Sequence, residues 1–199
     1  VIANPNAVAA PISITFLKGD ATTVTRAWTL PATSRTSIRV ETIAGLENTA
    51  TSSVVTSTTG LPLVVERAMF WDAGYYGSHG GTAVAGPATR WYFAEGSQSI
   101  FDTYVLLANA NATAGTATVQ FLVEDPPSVV TRTVDLPPTS RVNVVAGLVP
   151  ELAGRSFSVV VDATETLRRA GINGPYALAL GPECYAGLAQ AAEDGYPIR

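Results

Sequence analysis

Along this chain, apolar and polar residues alternate, or run apolar, in stretches of four to eight residues separated by Gly, Pro, Asn and Ser. Alternate side chains of a strand share a face, so such stretches read as strands with one buried side. One set is Ile12–Leu17, Val24–Leu30, Ser37–Val40, Ser52–Thr56 and Leu63–Trp71. The second is Trp91–Ala94, Thr103–Ala108, Ala117–Val123, Val129–Leu136, Arg141–Val145 and Phe157–Val161. Strand-length segments recurring every ~8–12 residues with turn residues between them predict an all-β sandwich fold. Helical signals come only near the C-terminus. Asp162 and Glu165 stand at capping-box spacing with Gly171 as a stop, and Pro182 opens a second stretch running to Asp194.

The two sets are copies of each other. The run from Asn4 to Leu17 returns from Asn109 to Leu122, an offset of 105, and Leu30-Pro-Ala-Thr-Ser-Arg35 returns as Leu136-Pro-Pro-Thr-Ser-Arg141, an offset of 106. A repeat this long is a small domain. The expectation is two tandem immunoglobulin-like β-sandwich domains, 1–86 and 87–199, with short helical elements near the C-terminus and a tail that diverges from about residue 166. Phe16 and Phe121 are expected in the cores. The paired asparagines Asn4, Asn6, Asn109 and Asn111 are expected in tight loops that cap backbone groups, and Arg35 and Arg141 on carbonyls or a carboxylate.

The copies are truncated at opposite ends. Arg90–Asn109 precedes the second copy, whereas the first opens on Val1-Ile-Ala-Asn4 only. Three outcomes follow: a fragment, completion of the first domain by Trp91–Ala108, or completion by a neighbouring molecule through β-strand addition.

Composition narrows the partners. A net charge of −4 argues against nucleic acid, which needs a basic patch. One cysteine, Cys184, allows no internal disulfide, and no apolar run reaches a membrane span of ~20 residues. No signal peptide is visible, so the chain reads as a mature product or a fragment.

Candidate chemistry is sparse. A Ser-His-Asp or Cys-His device would have to use His79, the only histidine, in a glycine-rich loop with no orienting partner in sequence. Glu66, Asp72, Glu95 and Asp102 could in principle pair as glycosidase carboxylates, but nothing fixes their separation; Glu66 equally suits pairing with Arg67 or Arg90. One Cys and one His make zinc implausible, and Glu124-Asp125 lacks the calcium-loop pattern. No cofactor, no metal and no catalytic residue is therefore expected. The best candidates for ligand binding or an interface are Trp71, Tyr75, Tyr76, His79, Trp91 and Tyr92, because Trp and Tyr combine large apolar area with a polar tip. Core and domain packing, protein contact and sugar contact all stay open for them.

Arg90-Trp-Tyr-Phe-Ala-Glu-Gly96, the strand Val64-Val-Glu-Arg-Ala-Met-Phe-Trp71 and the loop Gly77-Ser-His-Gly-Gly81 resemble a tandem repeat module of large secreted bacterial surface proteins, an uncharacterised family. The resemblance covers roughly residues 1–165 and implies extracellular or cell-surface display in arrays. It makes the expected function a non-enzymatic extracellular structural or adhesive module, a filament or surface-layer subunit assembling by β-strand addition and apolar packing. The expected partners are copies of itself or neighbouring repeat modules. The alternative is a carbohydrate-binding module with an aromatic platform.

Overall fold

The computed structural model describes residues 1–71, 77–99, 102–163 and 176–180, with side chains at all of these except 70–71, 77–79 and 176–180. The fold is all-β. In chain order the strands are β1 (Ile2–Asn4), β2 (Ala10–Lys18), β3 (Thr23–Leu30), β4 (Ser34–Thr36), β5 (Thr51–Ser57), β6 (Val64–Trp71) and β7 (Gly77–Thr82). The rest are β8 (Arg90–Ser97), β9 (Tyr104–Asn109), β10 (Gly115–Val123), β11 (Ser128–Leu136), β12 (Ser140–Val145), β13 (Ser156–Ala163) and β14 (Tyr176–Leu180).

Pairing repeats as the sequence does. β1 lies between β4 and β6, and β9 lies between β12 and β14. β2 lies between β3 and β5, and β10 between β11 and β13. Beyond this shared plan β7 pairs with β6, β8 pairs with β13, and a single parallel bridge, Ser140 to Lys18, joins β12 to β2. The Trp91–Ala108 stretch thus serves the second copy, through β8 and β9.

Each copy has its own core. Ile2, Ala10, Ile12, Ile14, Phe16, Leu30 and Leu46 pack in the first. Val105, Leu107, Val119, Phe121, Val159, Val161 and their neighbours pack in the second. The period-2 burial along β2 and β10 is the sequence alternation made physical, with the inward residues held between facing sheets.

The repeated asparagines hold a corner in each copy. Asn109 Nδ2 donates to the carbonyls of Thr113 (2.8 Å), Leu136 (3.1 Å) and Pro137 (3.0 Å), while its Oδ1 accepts from Asn111 N (2.9 Å). Asn4 does the same with Val8, Leu30, Pro31 and Asn6. Ser34 and Ser140 donate to the same proline carbonyls, each at 2.7 Å. The Leu-Pro-x-Thr-Ser-Arg motif is the other half of this corner, which explains why both parts recur together.

That corner forces Thr33 and Thr139 to φ of 44° and 46°. A β-branched residue in the left-handed region is strained. We expect Thr139→Asn, which tolerates this conformation, to stabilise the second copy by about 0.5–1 kcal/mol, raising Tm by about 2–4 °C. Scanning calorimetry of the two proteins checks it; an unchanged or lower Tm refutes the strain.

Three expectations change, and one strand was not expected. The strand expected at Ser37–Val40 lies earlier, at Ser34–Thr36, and Val40–Thr42 is a 3-10 turn. Ile38 and Val40 still pack on the core, from irregular backbone. Gly77–Gly81, read as a glycine-rich loop, lies within strand β7; a ladder needs backbone only, and β6 supplies the partner in register. Asp162, read as a helix cap, sits inside β13, and the remainder of the two expected helices lies outside the described residues. Tyr176–Leu180 is a strand that takes beside β9 the place β6 takes beside β1.

Candidate functional site

Two places concentrate polar and aromatic groups, and the first is the seam between the copies. β2 ends at Lys18 beside the start of β12, and the Arg141 guanidinium reaches across: Nη1 donates to Thr51 O at 3.2 Å and Nε to Asn143 Oδ1 at 3.0 Å. A cleft of about 290 Å³ opens here, lined by Lys18, Asp20, Asn48, Thr49, Arg141 and Asn143 among others. Lys18 Nζ lies 3.5 Å from an Asp20 oxygen. The Thr22 hydroxyl and amide donate to the Asp20 carboxylate and hold its pKa below the usual value, with Lys18 adding to this. Two cations beside one carboxylate can bind small polar groups; they offer no nucleophile and base in contact.

β8 and its surroundings make the second place. Arg90 forms a two-point ion pair with Asp162, Nε–Oδ1 at 2.6 Å and Nη2–Oδ2 at 2.8 Å, and its guanidinium lies 5.9 Å from the Tyr92 ring centre. The pairing with Asp162 raises the Arg90 pKa further. Tyr92 is 69% exposed. Trp91 and Phe93 point the other way and pack on the second core, with Trp91 Nε1 donating to Ala88 O at 3.0 Å.

Four of the six aromatic and histidine candidates lie on described strands, and those strands belong to two sheets. Trp71 and His79 belong to β6 and β7, in the sheet that carries β1 and β4. Trp91 and Tyr92 belong to β8, in the sheet of the second copy. Tyr75 and Tyr76 lie outside the described residues. The candidate carboxylates that are described lie on different elements. Glu66 is on β6 and Glu95 on β8, Asp102 accepts from Gln98 Nε2 at 2.7 Å, and Asp72 is outside the described residues. The suggested pairing of Glu66 with Arg90 is corrected, since Arg90 is taken by Asp162. Among the described residues no group of three His, Cys, Asp or Glu could hold a metal ion.

Arg141 meets a carbonyl as expected, that of Thr51, whereas the roles of Lys18 and Thr51 at the seam escaped sequence reasoning. The available signal was the one-residue difference in offset between the copies, which falls in the stretch just after Leu17 and Leu122. Lys18, the only lysine, stands there.

A family model described as encapsulating protein for peroxidase matches residues 140–199. Among solved structures, Thermotoga maritima 1070 is similar at 16% identity, covering 47% of this chain and 78% of that one, with a TM-score of 0.39. The Anabaena sensory rhodopsin transducer is similar at 15% identity, covering 58% of this chain and 100% of that one, with a TM-score of 0.41. The family match overturns the resemblance drawn from Arg90–Gly96. With it the extracellular structural or adhesive module, the filament or surface-layer subunit and the carbohydrate-binding alternative are all corrected. An encapsulating family is compatible with copies of this chain as its partners. No helix among the described residues is long and apolar enough to cross a membrane.

Proposed function

We propose that this chain is a non-enzymatic subunit of an encapsulating assembly, built from copies of itself around a protein cargo. The observation that carries this reading is the match of residues 140–199 to the family described as encapsulating protein for peroxidase. That segment begins at β12, the strand at the seam with the first copy, and includes β13 and β14. In this reading the two cores belong to two immunoglobulin-like sandwich domains, 1–86 and 87–199, that serve as rigid building blocks. Enclosing a cargo calls for many identical contacts between copies.

Light scattering coupled to size-exclusion chromatography, followed by negative-stain microscopy, tests the proposal. Closed particles many times the mass of one chain are expected. A monomer at all concentrations refutes it, as do open aggregates with no interior.

A further inference from the structure

We infer that the cleft at the seam between the copies is a binding site for a small, singly charged carboxylate, held by the Lys18 ammonium in the field of Arg141. Such binding requires nothing of the encapsulating reading.

The second copy shows what the fold does with this space when no ligand is called for. Lys18 opposite Thr51 ends the pairing of β2 with β5, as Val123 opposite Phe157 ends that of β10 with β13. The same alignment matches Asp20 to Asp125 and Thr49 to Arg155. In the second copy the Arg155 side chain runs from its loop to the β10–β11 hairpin, where Nη1 donates to Asp125 O at 2.6 Å. A guanidinium thus bridges hairpin and loop. In the first copy the bridging position holds Thr49, a side chain without that reach. There the cleft of about 290 Å³ opens, between Lys18-Gly19-Asp20 on one side and Asn48-Thr49-Ala50 on the other, with Arg141 and Asn143 of β12 as the third wall. Ligand pockets usually run from ~300 to 1,000 Å³, so the occupant is small.

Charge selects its chemistry. The lining carries two positive charges, Lys18 and Arg141, against one negative, Asp20, in a chain whose net charge is −4. The Lys18 side chain is only 19% exposed, so its charge stands partly out of water, where it attracts an anion more strongly than at an open surface. An ammonium has three donors. Asp20 Oδ2 engages at most one of them, from 3.5 Å, and Asp20 Oδ1 is taken by the Thr22 hydroxyl at 2.6 Å and amide at 3.0 Å. Lys18 can therefore turn donors to an incoming oxygen. Asn143 Oδ1 accepts from Arg141 Nε, so what this side chain offers a ligand is its NH2 group. A doubly charged phosphate meets a single uncompensated cation here and Asp20 besides, which favours the monoanion.

These features belong to the seam alone. Lys18 is the only lysine, and its counterpart Val123 is buried in the second core. Since Lys18 and Asp20 come from the first copy and Arg141 and Asn143 from the second, a bound carboxylate ties the two together.

The test is a titration of the full chain with sodium acetate at constant ionic strength, chloride being the balancing anion, followed through backbone amide shifts. Saturable shifts are expected at residues 18–20, 48–50 and 141–143. Lys18→Met keeps the length of the side chain without its charge and should raise the acetate Kd at least about tenfold. Thr49→Arg gives the first copy the bridging guanidinium of the second. It should abolish the shifts by filling the cleft, even though it adds positive charge. Shifts that fail to saturate, or an unchanged Kd in either variant, overturn the site. Inorganic phosphate binding more tightly than acetate overturns the choice of a monocarboxylate. If both variants misfold, the parent alone decides: shifts that chloride produces equally well refute the site.

Discussion

Phe121→Ala is expected to destabilise the second copy by about 3–5 kcal/mol, and the matching change Phe16→Ala in the first copy by clearly less. Phe121 is fully buried, and its ring meets Phe157 edge-on at 5.3 Å and 89°. Phe157 in turn lies where a Cβ on Gly96 would come within 2.5 Å of its ring. The three positions interlock across β10, β13 and β8, so little can move to fill the space that a lost phenyl leaves. Phe16 is equally buried, but the residue opposite it on β5 is the exposed Ser53. A void there opens toward solvent and costs less than a sealed one. Urea unfolding monitored by amide signals from each copy separates the two effects. Equal losses refute the claim that the first core is the more open. Gly96→Ala tests the same interlock from the other side: the clash with Phe157 should lower stability with no cavity made.

Much of this architecture was legible because it rests on local rules. Alternation located β2, β3, β5, β6 and β8 to β13, since a half-buried strand cannot avoid period two. The offset repeat placed Phe16 and Phe121 in equivalent core positions before any pairing was known. Reading failed where partners override local preference. The glycines of β7 are poor strand formers and become strand because β6 offers a ladder. Asp162 has the spacing of a helix cap, yet Arg90 and the β10 register hold it in a strand. The site was less legible than the fold. Phe70 and Trp71 on β6, and Trp91, Tyr92 and Phe93 on β8, are close in sequence yet belong to different sheets. The seam is made by Lys18, Thr51 and Arg141, which come from distant parts of the chain. The family likeness rests on residues 140–199, where the repeat in sequence fades after Arg141 even though the strand plan continues through β13 and β14.

Asn109 carries the second large effect. Its two amide hydrogens serve three carbonyls, and its oxygen takes the Asn111 amide, all with the side chain fully buried. Asn109→Ala leaves those carbonyls and that amide without their partner, and we expect a loss of about 3 kcal/mol, since each orphaned buried group costs about 1–3 kcal/mol unless water reaches it. Asn109→Asp keeps the size and reverses the chemistry, since an ionised carboxylate can only accept and here faces three acceptors. The variant should therefore be less stable than Asn109→Ala at neutral pH. Burial and the opposing carbonyls push the introduced carboxyl's folded pKa above its unfolded value of about 3.9, so the unfolded chain ionises more readily. The deficit then shrinks as pH falls through the raised folded pKa, because the protonated acid regains one donor. Urea midpoints of the parent, N109A and N109D between neutral and acid pH measure this. If N109D does not gain on N109A as pH falls, donation from Nδ2 is not what holds the corner. Asn4→Ala should repeat the loss in the first copy, because Val8, Leu30 and Pro31 there occupy the positions of Thr113, Leu136 and Pro137.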